Sequence, residues 1–228
     1  MPWTSPNYRL LRPLRSVLWA CVPGAFLLAS SAYADEIFND FGAGYSTGLA
    51  AYCVDGSSVA PGCSSGLSGG NPLTPAALFV SPGDFNVTQI DVSLSYTEGD
   101  NSAVISLFTD DSDAPGTLLG SWDVSGQPAN PLPVTTVSGI SGVSLTSGAS
   151  YFLEIAPGDA STEDSWTYNG LGSTGELYDP PFGGSGLTLP AFDVLGTSPA
   201  EVPEPASLGI CGMALIGLVG LHRRRQSP

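Results

Sequence analysis

The sequence predicts an all-β protein in which an antiparallel β-sandwich or jelly-roll body lies between two apolar terminal segments. Several stretches alternate apolar and polar residues with a period of two, which is typical of half-buried strands. The chain contains 29 glycines and 20 prolines, which favour short strands joined by turns. No window shows an amphipathic helical pattern. Seven or more short strands with such turns predict a sandwich or jelly roll.

The clearest strand pattern covers residues 90–96, where Ile90, Val92, Leu94 and Tyr96 alternate with polar residues. Turn-forming residues 98–101 follow, and residues 103–108 are apolar again, so we predict that the two stretches form a hairpin. Further short strands are predicted at 118–124, 134–137, 151–155, 166–168 and 191–195.

An acidic cluster, Asp110, Asp111 and Asp113, precedes a Pro115-Gly116 pair. Proline presets the first dihedral of a type II turn and glycine tolerates the second, so a turn is predicted at this pair. Three carboxylates within four residues are also candidate Ca²⁺ ligands, although Pro115 rules out an EF-hand loop. The alternative is an Asx-type turn with solvated carboxylates.

Residues 1–34 have the pattern of a secretory signal peptide. Three arginines in the first fifteen residues are followed by an apolar stretch over 17–29. Ala32 and Ala34 form a small-residue site of the A-x-A type, which predicts cleavage before Asp35. The body would then be exported.

The C-terminal end has an apolar segment, residues 206–221, followed by basic residues. Sixteen helical residues reach roughly 24 Å, slightly short of a comfortable membrane span. Pro203 and Pro205 prevent the helix from beginning earlier. The arginines that follow are retained on the cytoplasmic side and can snorkel, so a single transmembrane helix with the body facing outward is predicted.

This tail resembles the PEP-CTERM sorting signal of Gram-negative bacteria over residues 198–228. The resemblance is carried by the apolar segment and by the motif and stop residues, which are Val202, Pro203, Glu204, Pro205, Arg223, Arg224 and Arg225. It implies recognition and cleavage by an exosortase, a membrane cysteine protease or transpeptidase. A plain tail anchor is the alternative.

Charge is divided sharply along the chain. All six basic residues lie at the two ends, whereas all 21 acidic residues lie between Asp35 and Glu204, so this central part has a formal charge of −21. Such a body repels nucleic acid and anionic lipid headgroups and attracts divalent cations or basic surfaces. Its stability must come from apolar burial and hydrogen bonds, and we take residues 35–197 as one domain.

Cys53 and Cys63 are the two cysteines of this body. In an oxidising compartment a disulfide between them is the expected state. A disulfide that closes a loop this short would contribute ~2 to 3 kcal/mol to the free energy of unfolding. A catalytic or metal-binding thiol is the alternative.

The body also resembles bacterial exported modules known as choice-of-anchor domains, roughly over residues 80–197. The matching stretches are 106–122, with the run SLFTDDSDAPGTLLGSW, 147–153, 166–169 and 191–196. The resemblance implies a β-sandwich and supplies no catalytic residues.

Composition excludes most catalytic machinery. The single histidine is His222, beyond the apolar tail, and the chain has no lysine. Histidine-based triads, histidine zinc sites and Schiff-base chemistry are therefore excluded from the body. A glycosidase-like carboxylate pair survives, with Glu154, Glu163 and Asp164 as candidates, but ordinary surface acids explain these residues better.

Four aromatic residues could line a sugar-binding face, although core packing is the more frequent role of aromatics on strands; they are Trp122, Trp166, Tyr168 and Tyr178.

These patterns predict a non-enzymatic protein, exported through the inner membrane and found at the cell surface or outside the cell. The tail resemblance implies an exosortase-like partner, a precursor held in the inner membrane through residues 206–221, and a structural or adhesive role in an exopolysaccharide matrix. No cofactor is expected, apart from the Ca²⁺ alternative. The other functions considered are a Ca²⁺-dependent carbohydrate-binding module and a carboxylate-based glycan hydrolase.

Overall fold

The computed structural model describes residues 34–42, 47–58, 71–129, 134–180 and 182–199. These residues form fourteen β-strands and no helix, and every strand pairing among them is antiparallel, which confirms the predicted all-β class. The predicted cleavage residue Ala32, the sorting motif and the apolar and arginine-rich tail lie outside the described residues. Ala34 and Asp35 lie inside them, and Asp35 is the first residue of a strand.

The strands run in chain order as follows: β1 Asp35–Asn39, β2 Thr47–Asp55, β3 Ala76–Val80, β4 Phe85–Val92, β5 Leu94–Glu98, β6 Ser102–Asp110, β7 Pro115–Ser125, β8 Thr135–Ser138, β9 Ser144–Leu145, β10 Ser150–Pro157, β11 Glu163–Asn169, β12 Thr174–Tyr178, β13 Gly184–Thr188 and β14 Phe192–Thr197. The five short strands predicted after residue 110 are confirmed to within three residues, as β7, β8, β10, β11 and β14. Strands β1, β2, β3, β9, β12 and β13 were not predicted.

The strands form three sheets. One has the order β1-β14-β4-β8, with β9 also paired to β4. The second has six strands in the order β13-β12-β3-β10-β6-β7, and the third has the order β2-β11-β5. Consecutive strands often belong to different sheets, so the chain crosses repeatedly between layers.

The predicted hairpin over residues 90–108 is wrong, because the alternating stretch is divided at Ser93. Strand β4 ends at Val92 and pairs with β14, whereas β5 begins at Leu94 and pairs with β11. The backbone of Ser93 joins two layers: its N–H donates to Ala191 O at 3.0 Å, and its carbonyl accepts from Thr167 N at 2.9 Å. The alternation of apolar and polar residues therefore continues through Ser93, although the chain changes sheets there.

The turn predicted at Pro115-Gly116 is also wrong, because both residues already belong to β7. The hairpin between β6 and β7 turns at Ser112 and Asp113, whose φ angles are 59° and 66°. Two successive positive φ values are the signature of a type I′ turn, which matches the twist of a two-residue hairpin.

One apolar core draws on all three sheets. At its centre Phe192 of β14 lies 4.4 Å from Phe38 of β1, 5.9 Å from Phe79 of β3 and 5.8 Å from Trp166 of β11, measured between ring centroids. Trp166 is fully buried, and its indole N–H donates to Ala191 O at 3.0 Å. These rings tie the sheets together by burial and by aromatic packing.

The first and last strands are neighbours. Asp35 pairs with Gly196, and the Ser198 hydroxyl donates to Asp35 Oδ2 at 3.2 Å. Thr197 pairs with Asn86 near the start of β4, where the chain arrives from β3. Both ends of the described fold therefore leave from this one end, which we call the terminal end.

Candidate functional site

A surface cavity of about 250 Å³ lies beside the turn between β12 and β13, where it is lined by residues 176–180 with Gly183 and Gly184. Strand β12 ends there at Tyr178, which pairs with Ala76 at the start of β3. The end of β3 leads instead into β4 at the terminal end, so the cavity lies at the opposite end of β3. It combines an aromatic ring, Tyr178, with two carboxylates, Glu176 and Asp179.

Two further cavities, of about 290 and 340 Å³, are lined by the described residues around Gly56 and around Asp123. Each has one carboxylate among its lining residues and no aromatic ring. Recognition sites usually combine apolar or aromatic surface with a few convergent polar groups. The cavity at the β12–β13 turn fits this description better.

Asp179 is the most unusual residue of the cavity, because it is only 4% exposed. Its backbone carbonyl accepts the N–H groups of Phe182 and Gly183, at 2.5 and 2.8 Å, which fixes the turn. Its side-chain Oδ1 is buried and has no hydrogen-bond partner among the described residues. Burial, and then the negative charge of Asp55, raise the pKa of Asp179 to about 6.

Behind Asp179 other carboxylates are buried as well. Asp55 and Asp164 are 1% and 0% exposed. Burial raises the pKa of Asp164 to about 7, and the negative charges of Asp100 and Asp55 add to the effect. Both side-chain oxygens of Asp164 are buried without a hydrogen-bond partner among the described residues. Buried like charges of this kind favour either protons or a cationic ligand.

Aromatic residues border these carboxylates. The Tyr178 ring is half-buried and meets the buried Phe152 edge-on at 6.5 Å. The rings of Tyr52 and Tyr168 lie 4.6 Å apart, and the Tyr52 hydroxyl donates to Thr188 O at 2.7 Å. Burial, with smaller contributions from Tyr168 and Asp179, raises the pKa of Tyr52 well above its ordinary value.

A second acidic group lies on β4, on β14 and directly after the end of β1. Asp40, Asp91 and Asp193 are at most 6% exposed, and each has one buried oxygen without a hydrogen-bond partner among the described residues. Burial is the main cause that raises the pKa values of Asp40 and Asp193 to about 7. The charge of Asp193 adds to the effect at Asp40, and those of Asp91 and Glu36 add to it at Asp193.

The four predicted sugar-binding aromatics do not form one face. Trp166 is buried in the core, and Trp122 packs against that core from β7. Tyr168 pairs with Tyr52, and Tyr178 alone lines the cavity. Trp166 therefore has the alternative role considered for these residues, which is packing in the core.

The predicted calcium ligands lie at the β6–β7 turn. Asp110 Oδ1 accepts the backbone N–H of Asp113 at 3.0 Å, and the backbone N–H of Asp111 donates to Ala114 O at 2.9 Å. These hydrogen bonds match the alternative prediction of an Asx-type turn. Across the described ranges, no group of three or more His, Cys, Asp or Glu side chains is arranged to hold a metal ion.

The glycosidase candidates occupy different sheets. Glu154 lies on β10 in the six-stranded sheet, where burial raises its pKa. Glu163 and Asp164 lie side by side on β11 and are both buried. The preferred prediction from the sequence, that these are ordinary surface acids, is therefore wrong for Glu163 and Asp164.

Other predicted site residues are covered only in part. Cys53 lies on β2, but Cys63 is outside the described ranges, so the disulfide stays a prediction. The motif Val202–Pro205 and the arginines 223–225 are outside them as well. No helix in the part of the chain that the structure describes is long and apolar enough to cross a membrane.

Sequence reasoning missed the buried carboxylates Asp40, Asp55, Asp91, Asp179 and Asp193. For Asp91 a partial signal existed, since it lies between Ile90 and Val92, both buried in the core. Alternation places it on the opposite face of the strand, but does not reveal that this face is buried too.

Comparison of the chain with models of known protein families gives no match. No curated protein matches its sequence either.

Proposed function

We propose that this protein is exported, sorted by an exosortase-like enzyme, and acts as a structural or adhesive component of an exopolysaccharide matrix. Its body is a β-sandwich of residues 35–197, and residues 1–34 and 198–228 are a signal peptide and a sorting tail with one transmembrane helix. The tail motif carries the sorting part of this proposal, and the association of such tails with polysaccharide production carries the matrix part.

The observation that best supports this arrangement is the pairing of Asp35 with Gly196. Strand β1 begins directly after the predicted cleavage site, and β14 ends at Thr197, five residues before the motif residue Val202. Removing both flanking segments would therefore leave all fourteen described strands in place. Because both segments join the fold at the terminal end, a membrane-held precursor would present the β12–β13 cavity away from this attachment.

Packing between sheets supports the sandwich. Phe79 of the six-stranded sheet lies against Phe38 and Phe192 of the sheet that contains β1 and β14. Side chains from two sheets that interdigitate across one core are the defining feature of a sandwich. The three-stranded sheet adds Trp166 to the same core.

Sorting is tested by cell fractionation. A tagged full-length chain is expressed beside a variant with Val202–Pro205 replaced by alanines, and a control carries Glu201→Ala, a neighbouring acid outside the motif. We expect the wild type and the control to reach the cell surface or medium at reduced mass. The motif variant should accumulate in the inner membrane at full length. An unchanged distribution and mass in the motif variant would overturn the sorting proposal.

A further inference from the structure

The cavity at the β12–β13 turn is bordered by negatively charged side chains. Glu176 and Asp179 line it, and the charge of Asp55 acts on Asp179 from behind. Between residues 34 and 199 the chain contains no lysine, arginine or histidine, so the body itself has no cationic side chain to place beside these carboxylates. A cationic ligand is the natural complement of such a cavity.

We propose that this cavity binds the primary ammonium groups of an amine-bearing polysaccharide, with Asp179 and Glu176 as the carboxylates and Tyr178 as the aromatic wall. The choice of a glycan, rather than another carrier of the same ammonium chemistry, rests on the proposed function. A partially or fully deacetylated amino-sugar polymer has the required chemistry.

An unpartnered buried atom supports the carboxylate part of the site. Asp179 is 4% exposed, lines the cavity and has a buried Oδ1 without a hydrogen-bond partner among the described residues. Leaving a buried acceptor unsatisfied costs free energy, and hydrogen bonds to charged groups are among the stronger ones. The buried Oδ1 is closed to solvent, so an ammonium group in the cavity would act on the Asp179 carboxylate by offsetting its negative charge.

The arrangement suits an ammonium group better than a metal ion. Calcium takes six to eight oxygen ligands, whereas no three acidic or histidine side chains of the described ranges are gathered to hold a metal. A primary ammonium group has three N–H donors on a single atom and needs only a few acceptors. Two carboxylates and water can satisfy it.

The Tyr178 side chain forms one wall of the cavity. Its ring packs edge-on against the fully buried Phe152, and Tyr178 lines the cavity. An aromatic face attracts a nearby cation, and it offers an apolar surface to a sugar ring. Carboxylates and an aromatic wall together would distinguish an amino sugar from a neutral or acidic sugar.

Binding should depend on pH in a defined direction. The pKa of Asp179 is about 6, so its carboxylate is largely protonated in mildly acid solution and becomes charged towards neutral pH. The titratable groups that act on it or lie beside it are Asp55 and Tyr52 on β2, and Glu176 and Tyr178 on β12. An ammonium ligand would therefore bind more tightly near neutral pH than in mild acid, as long as the amine itself stays protonated.

The test measures binding of glucosamine oligomers to the detergent-solubilised full-length protein by titration calorimetry, with N-acetylglucosamine oligomers of equal length as the matched ligand. We expect the amine-bearing oligomers to bind and the acetylated ones to bind at least about tenfold more weakly, because acetylation removes the charge. Asp179→Asn, Glu176→Gln and Tyr178→Ala should each weaken binding. Asp111→Asn, which makes the same charge change at the exposed β6–β7 turn, should not.

Thermal melting of each variant distinguishes a loss of binding from a loss of folding. Glu176 is only half-buried, so we expect Glu176→Gln to fold and to test the site even if Asp179→Asn unfolds. Equal binding of the two oligomers, or wild-type affinity in both Glu176→Gln and Tyr178→Ala, would overturn the site. Equal or tighter binding of a lysine-rich peptide would overturn its assignment to a polysaccharide. Neither result depends on export, which fractionation measures separately.

Discussion

Asp91 and Asp193 face each other directly across the β4–β14 pairing, and both are buried, with exposures of 1% and 6%. Directly opposed residues in antiparallel strands have Cβ atoms about 5 Å apart. Gln89 donates to Asp91 Oδ2 at 2.8 Å, but Asp91 Oδ1 and Asp193 Oδ1 have no hydrogen-bond partner among the described residues. Two buried carboxylates at this separation repel each other when both are ionised.

The first prediction is that the protein is more stable in mild acid than in mild alkali. The pKa of Asp193 is raised from 3.8 to about 7, so between these values the folded state binds more protons than the unfolded state. The stabilisation is therefore complete below about pH 4 and is lost as pH rises through about 7. Asp40, Asp164 and Asp179 shift in the same direction, whereas exposed Asp159, held by Ser161, shifts downwards.

Urea unfolding across this pH range checks the prediction. Asp193→Asn removes the titrating group and its repulsion with Asp91 and Glu36, so stability in mild alkali should rise by on the order of 1 kcal/mol. The dependence on pH should flatten correspondingly. The control is Asp111→Asn, an exposed acid at the β6–β7 turn. A urea midpoint that increases from acid to alkali in the wild type would contradict the prediction.

Comparing Asp91 with Ile90 shows how far the sequence could predict the fold. Alternation correctly separated these two residues onto opposite faces and correctly indicated strands. It could not reveal that a second layer buries the polar face. A pattern that repeats every two residues shows which side chains share a face of the strand, but it does not show what covers that face. The same limit explains Ser93, where the alternation continues although the chain changes sheets.

The candidate site was less predictable than the strands. Tyr178 was predicted for its aromatic ring, but nothing in the local pattern marked Asp179 as buried, because burial is set by tertiary packing. Part of the rise in its pKa likewise comes from Asp55, which is distant in the sequence. The β6–β7 turn was misplaced for a local reason. Pro-Gly is a strong turn signal, yet Ser112 and Asp113 adopt the left-handed conformation that the hairpin twist requires.

The second prediction concerns this turn. Non-glycine residues with positive φ are strained, by about 1 kcal/mol or more each. Replacing Ser112-Asp113 with Asn-Gly, the preferred type I′ pair, should therefore raise the free energy of unfolding by about 1 kcal/mol. Thermal or urea unfolding measures the gain, and Asp111→Asn is the control for charge. Destabilisation by Asn-Gly would show that the turn has another geometry.

Calcium provides a second readout for the same turn. If Asp110, Asp111 and Asp113 only form an Asx-type turn, adding Ca²⁺ should leave the melting temperature of the wild type and of Asp111→Asn equally unchanged. A rise in the wild type that is lost in the variant would restore the calcium alternative.

The third prediction uses two glycines with similar backbone angles. Gly99 and Gly126 have φ values of 81° and 74°, so alanine is strained at both. At Gly99 a Cβ would lie 1.7 Å from the backbone oxygen of Ser161, whereas nothing lies within 4 Å of a Cβ at Gly126. Gly126→Ala should cost about 1 kcal/mol for conformation alone.

Gly99→Ala should cost clearly more, on the order of 3 kcal/mol, because the loop that carries Ser161 must also move. The two variants are compared by urea unfolding under identical conditions. Equal losses of stability would mean that the β5–β6 connection does not pack against Ser161. Because the φ angles of Gly99 and Gly126 are similar, the steric contact with Ser161 is the main intended difference between the two variants.

The fourth prediction follows from the absence of lysine in the chain. Every protein chain with a free N-terminus has one α-amino group, and here no lysine side chain competes with it. If the chain is cleaved before Asp35, the new amine lies at the start of β1, beside the carboxylates of Asp35 and Glu36. An amine-reactive label should then modify the exported protein once, at Asp35.

Peptide mapping of the labelled protein from the cell surface or medium identifies the modified residue. A variant with Ala32 and Ala34 replaced by bulky residues should stay uncleaved, because the processing site needs small side chains. Its label would lie before the apolar segment, near Met1. Labelling at Met1 in the exported wild type would show that the chain keeps its first 34 residues. Labelling at Asp35 would instead show that the exported body begins at Asp35. Its α-amino group would then lie next to Gly196, at the end opposite the β12–β13 cavity.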